Sequence, residues 1–169
     1  MEKVLETERT YLRKLSFDDA QNFFDLNSDK EVIKYTGDKS FENVDEAKSF
    51  LLNYDHYDTY GYGRWAVIEK KSDELIGWCG LKFNQKTEEI DLGFRFFKKY
   101  WNQGFATETA QACLQYGFNE LKIVRIIGRA MTENKASISV LQKIGMQYIG
   151  KTTCSLHDAE LFEIINSNE

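Results

Sequence analysis

Residues 91–108 read DLGFRFFKKYWNQGFATE. With Ile90 in front, Leu92, Phe94 and Phe96 alternate with Asp91, Gly93 and Arg95, the period of a half-buried strand. Beyond Gly104 the period changes. Ala106, Ala110, Cys113, Leu114, Gly117, Phe118 and Leu121 recur at steps of three and four, which predicts a helix with one apolar stripe. The turn between them, residues 100–109, has no lysine, histidine or cysteine, and Glu108 is its one carboxylate. Chemistry at this turn therefore falls mostly to the main chain. The first N–H groups of a helix have no internal acceptor, and with the helix dipole they form a site for an anion. Gly104 lets a ligand approach the backbone, and Ala106 keeps the next position small. An ordinary tight strand-to-helix turn accounts for the same letters.

Outward from this stretch, the chain reads as one α/β domain over residues 1–169 with a largely antiparallel sheet. Tyr11–Leu15 is a short strand. Ser16 with Asp19 resembles a capping box, followed by a helix carrying Phe23, Phe24 and Leu26. Asn43 with Glu46 marks a second helix start, with Ala47, Phe50, Leu51 and Tyr54 at helical spacing. Residues 65–69 and 75–83 are strands, which with 90–96 make a meander. Residues 124–130 are β-rich. Residues 134–144 are helical, and Gly145 stands where a helix-ending glycine belongs. Residues 146–155 and 160–165 close the domain as a hairpin around His157 and Asp158.

The composition allows a sizeable core, with 42% of residues hydrophobic, and the formal charge of −5 argues against nucleic acid as a partner. An acidic surface suits a cationic acceptor. Cys79, Cys113 and Cys154 are scattered and odd in number, as expected of reduced thiols in a cytoplasmic protein. No apolar run is long enough for a membrane span. His56 and His157 lack metal-ligand spacing, so no metal site is expected.

Three stretches carry a resemblance. LETERTYLRKL (5–15), DLGFRFFKKYWNQGFATE (91–108) and NKASISVLQKIGM (134–146) are similar, in this order, to the GCN5-related N-acetyltransferase (GNAT) family. Within it they resemble the ribosomal-protein N-terminal acetyltransferase branch. The family's loop pattern is Gln or Arg, two residues, Gly, one residue, then Gly or Ala. Gly104 and Ala106 match it, whereas Trp101 stands at the basic or amide position.

The resemblance implies a single-domain fold with a splayed central strand pair, and acetyl-CoA as cosubstrate. The N–H groups around Gln103, Gly104, Phe105, Ala106 and Thr107 would hold its diphosphate. The main-chain groups of Phe94 and Phe96 would pair with the pantetheine arm, and Gly93 would leave room for the thioester. Asn134 would reach the pantetheine amide, or simply cap its helix. Ser137 would donate to the leaving sulfur, and the Phe94 N–H would polarise the thioester carbonyl. Lys98, Lys99 and Lys135 flank the phosphate region. Asp91, with Glu88 and Glu89 just before it, is the candidate base that takes the amine's proton. Some family members use a tyrosine near the last hairpin as general acid, but residues 160–165 contain none. Residues 35–39, residues 57–65 and Trp78 are left to bind the acceptor.

The activity implied is transfer of an acetyl group to a primary amine, either a protein N-terminus or a small amine. It would proceed directly in a ternary complex of a monomer or homodimer. A catalytically weak CoA-binding sensor or partner subunit would show the same motifs, and a plain interaction domain would bind no cosubstrate at all.

Overall fold

The computed structural model describes residues 2–166. In chain order the elements are β1 (Lys3–Glu6), β2 (Thr10–Lys14), α1 (Ala20–Ser28), α2 (Lys30–Ile33), α3 (Val44–Leu52) and α4 (His56–Tyr60). The meander follows as β3 (Arg64–Glu69), β4 (Leu75–Asn84) and β5 (Glu89–Phe96). The chain ends with α5 (Phe105–Asn119), β6 (Arg125–Met131), α6 (Lys135–Lys143), β7 (Gln147–Cys154) and β8 (His157–Ile165).

Both helix starts read from the sequence are present. The Asp19 carboxylate accepts the Ser16 N–H at 2.9 Å, and Ser16 Oγ accepts the Asp18 N–H at 3.3 Å. This box opens a single tight turn, Phe17–Asp19, and α1 continues from it. Asn43 Oδ1 accepts the Glu46 N–H at 2.9 Å. Three elements have no sequence signature. β1, KVLE, is four residues long with its apolar side chains adjacent, and α2 and α4 are too short to show a period.

The last hairpin turns earlier than expected. Ser155 and Leu156 carry the turn, with φ of 48° and 69°, and His157 and Asp158 already pair in β8. Two successive positive φ values are what a tight hairpin turn requires. Serine and leucine are not the residues that usually announce one.

The strands form one sheet in the order β1-β2-β3-β4-β5-β6-β8-β7. Every neighbouring pair is antiparallel except β5–β6, which is parallel. Pleating sends alternate side chains to opposite faces. On one face Leu92 and Phe96 join Trp65, Cys79 and Leu81 against Phe105, Ala110, Cys113 and Leu114 of α5. On the other, Trp78 packs with Phe23 of α1 and with Ala47 and Leu51 of α3. The sheet is thus a central layer with helices on both sides.

Tyr57 ties the second layer to the sheet. Its hydroxyl donates to the carbonyl of Arg64 and accepts the Leu15 N–H at 3.0 Å. Burial pushes its pKa well above the ordinary value of 10.0, against the hydrogen bond from Leu15. Because the folded phenol holds its proton more tightly than the unfolded one, this stabilisation is complete below about pH 10 and is lost at higher pH. Tyr57→Phe strands two part-buried main-chain groups. Chemical denaturation should show a loss of about 2 kcal/mol, and a loss near zero would show that water replaces the phenol.

Candidate active site

The parallel pair is registered at one position, Asp91 opposite Ile127. Past it the strands part. The Phe97 N–H donates to the Ile76 carbonyl of β4 at 3.1 Å. Main-chain groups alternate sides along a strand, so those of Phe94 and Phe96 face away from β4, toward the gap. The Phe96 carbonyl accepts the indole N–H of Trp101 at 2.9 Å. Trp101 therefore fastens the turn to the strand end, and of the Phe96 groups only the N–H stays open to the gap. α5 and α6 both follow the C-terminal ends of this parallel pair, so both helix N-termini stand at its open end, where parallel strands commonly receive ligands.

Gly104 is the N-cap of α5. Its φ is +82°, and the helix start carries no side-chain cap. The N–H groups of Phe105, Ala106 and Thr107 consequently lack intrahelical acceptors. A Cβ on Gly104 would meet a single neighbour, Arg9 Nη2, at 3.3 Å. Gln103 spends its side chain on the turn, donating from Nε2 to the Lys99 carbonyl at 2.7 Å. This is an open cradle of main-chain donors, and it fits a diphosphate.

Glu108 explains the lone carboxylate of the turn. It accepts from the Thr7 hydroxyl at 2.6 Å, the Arg9 N–H at 2.9 Å and Arg9 Nε at 2.7 Å. Burial raises its pKa, but the bonds from Thr7 and Arg9 outweigh this and hold it below the ordinary value. Arg9 Nη1 also donates to the Gln103 carbonyl at 2.8 Å. The β1–β2 turn thereby braces the α5 start. Sequence reasoning missed this brace, because an acidic residue in a first helical turn ordinarily serves its own helix dipole.

Asp91 points to the face opposite α5. Its Oδ1 accepts from Arg64 Nη2 at 2.8 Å, and Oδ2 has no hydrogen-bond partner among the described residues. Arg64 Nη1 donates to the Asp91 carbonyl at 3.0 Å and to that of Gly80. The room left by Gly93 is filled by this guanidinium: a Cβ there would lie 2.6 Å from Arg64 Nη2. Gly93 thus makes way for Arg64, where the sequence reading expected a thioester. Glu89 is committed elsewhere, to Arg129 at 2.6 Å and Arg125 at 3.3 Å. Burial raises its pKa, but these bonds prevail and lower it. Glu88 sits in the preceding turn with φ 54°.

Asn134 is the N-cap of α6, accepting the Ser137 N–H at 3.2 Å. Its amide NH2 and the Ser137 hydroxyl have no partner among the described residues, so the cap leaves a donor on each residue free. Lys99 is drawn to Glu74 at 3.2 Å, while Lys98 and Lys135 are exposed. Cys79 and Cys113 touch in the core, Sγ to Sγ 3.7 Å apart. Burial, and then the contact with Cys79, push the Cys113 thiol well above its ordinary pKa. It is a neutral packing group.

On the same face of the sheet as Asp91, Trp78 has the guanidinium groups of Arg64 and Arg95 over its ring, 5.4 and 5.2 Å from the centroid. Its indole nitrogen is buried without a hydrogen-bond partner among the described residues. Arg95 binds Asp38 at 2.6 Å and the Asn27 side chain. The loop between α2 and α3 is thus held to β5. The same loop meets the last hairpin turn, where the Ser155 hydroxyl lies 3.5 Å from the Thr36 carbonyl and Gly37 packs directly on Ser155.

Comparison with known proteins agrees with this fold. The chain is 37% identical over 148 residues to the Uncharacterized N-acetyltransferase YnaD of Bacillus subtilis (strain 168), covering 86% of this chain and 84% of the relative. The solved structure of a GNAT-family acetyltransferase from Bacillus anthracis superposes with a TM-score of 0.81 at 29% identity, over 95% of this chain and 97% of that one. A ribosomal-protein-S5-alanine acetyltransferase from Vibrio fischeri shares the fold, with a TM-score of 0.82 at 18% identity, over 99% of this chain and 98% of that one. The acetyltransferase (GNAT) domain family matches residues 9–147, within which lie the parting strands and the uncapped start of α5. The chain belongs to the GNAT family of acetyl-CoA-dependent N-acetyltransferases.

Proposed function

We propose that the protein transfers the acetyl group directly from acetyl-CoA to a primary amine, with both substrates bound at once. The observation that carries this reading is the gap between β5 and β6, with main-chain donors along one wall and the uncapped α5 at its mouth. The N–H groups of residues 103–107 hold the diphosphate, and the main chain of Phe94 and Phe96 receives the pantetheine arm. Asn134 donates from its free amide to the same arm. Acetyl-CoA supplies an activated acyl carbon and a thiolate leaving group. The Phe94 N–H polarises the thioester carbonyl as charge gathers on its oxygen. Asp91, held on one oxygen by Arg64, takes the amine's proton on the other, and the Ser137 hydroxyl donates to the departing sulfur.

The acceptor reaches Asp91 from the α1–α3 side, past Trp78 and the loop at residues 35–39. A protein N-terminal amine is the acceptor this reading favours, as the structural likeness to the V. fischeri enzyme suggests; a polyamine or another small amine is the other class to test. Thiol release from acetyl-CoA across a panel of N-terminal peptides and small amines tests the function. Turnover with at least one amine is expected, whereas tight acetyl-CoA binding with no thiol release from any of them would favour a sensor module. Direct transfer predicts intersecting initial-velocity lines. It also predicts that the Cys79→Ser and Cys113→Ser variants keep kcat within about threefold, since a buried neutral thiol is no nucleophile. Parallel lines with loss of activity in either variant would replace this scheme with an acyl-cysteine intermediate.

A further inference from the structure

We infer that Arg9 is a further acetyl-CoA-binding residue, its guanidinium supplying from the β1–β2 turn the positive charge that the α5 turn lacks. This rests on the reading that the diphosphate lies at the start of α5. Residues 100–109 contain no basic side chain. Lys99, adjacent in sequence, is turned away toward Glu74 and the Tyr100 ring. Arg9 comes from far along the chain and is fixed at three points. Nε binds Glu108 at 2.7 Å, Nη1 binds the Gln103 carbonyl at 2.8 Å, and the guanidinium lies over the Phe105 ring at 4.2 Å.

Nη2 is left over. It has no hydrogen-bond partner among the described residues, and it is the atom closest to the open side of Gly104. The side chain is 40% exposed, so the group is reachable from solvent. An arginine already held in place loses little freedom on binding, and its planar fork suits phosphate oxygens. Glu108 orients the group and offsets part of its charge. The structure thus separates two roles: bracing the turn, which needs the Arg9–Glu108 pair, and attracting phosphate, which needs Arg9 alone.

Two variants of the full chain tell these roles apart. The readouts are the calorimetric Kd for CoA and kcat/KM with S-acetylpantetheine, a donor that lacks every phosphate. Arg9→Gln should weaken CoA binding about tenfold, the loss of one charge-assisted contact. The same variant should keep kcat/KM with S-acetylpantetheine within about twofold and make CoA binding less salt-sensitive. Glu108→Gln keeps a side-chain oxygen to accept from Arg9 and so preserves the brace; it should leave the CoA Kd unchanged or lower it, because Arg9 keeps its charge and loses a competing carboxylate. If Arg9→Gln does not fold, Arg9→Met, whose stem still covers Phe105, should give the same tenfold loss. Equal weakening by the Arg9 and Glu108 variants would reduce Arg9 to a brace, and an unchanged Kd in the Arg9 variant would remove it from the site. If wild-type protein uses acetyl-CoA no better than S-acetylpantetheine, the diphosphate reading itself fails, and the inference with it.

Discussion

Gly104→Val should weaken acetyl-CoA binding by about 100-fold or more, the cost of losing about two main-chain hydrogen bonds to a charged group. Two effects act together. Gly104 has a φ of +82°, which a β-branched residue adopts only under strain of about 1–3 kcal/mol. Its new side chain would also stand over the donors of Phe105, Ala106 and Thr107 and push on Arg9 Nη2. Gly104→Ala keeps much of the strain with less bulk and should fall between wild type and valine. Calorimetry with acetyl-CoA reads the affinity, and circular dichroism verifies that α5 survives. A folded valine variant with wild-type affinity would remove this turn from the cosubstrate site.

Asp91→Asn should lower kcat at neutral pH by about 100-fold, the usual contribution of a positioned general base. The acetyl-CoA Kd should stay within about twofold, because the carboxylate points away from the α5 face. The asparagine oxygen still accepts from Arg64, so the bond that orients the side chain survives and the proton acceptor is lost. The deficit should shrink as pH rises, since the acceptor amine then sheds its proton to water. A variant with wild-type kcat at neutral pH would take Asp91 out of the mechanism. An equal loss of cosubstrate affinity would make it a structural residue of the parting strands.

The parts of the fold with strong periodicity were legible in the sequence. β3, β4, β5, α5, α6 and β6 were read to within one or two residues, because each has enough turns or pleats for its apolar side to declare itself. β1, α2 and α4 were not, being four or five residues long. The last hairpin turn was misplaced because its left-handed residues are Ser155 and Leu156 instead of asparagine or glycine.

The glycine start of α5 was also legible, since Gly104 stands where the strand period gives way to the helical one. The side-chain braces of the site were hidden. Arg9 with Glu108 and Arg64 with Asp91 join residues 99 and 27 positions apart. Nothing local marks such a pairing, which exists only once the strands are in register. Gly93 shows the same limit: its smallness is plain in the sequence, but the guanidinium that needs the space comes from two strands away.

The contact between Gly37 and Ser155 has a consequence for how such a protein can diversify. A side chain at Gly37 has no space, because the atoms of Ser155 already occupy it, and both backbones there are left-handed. The loop of residues 34–43 and the last hairpin turn are therefore interlocked at this point, and Arg95 anchors the same loop through Asp38. Lengthening one turn alone would part them, so insertions here must arise as matched changes in both.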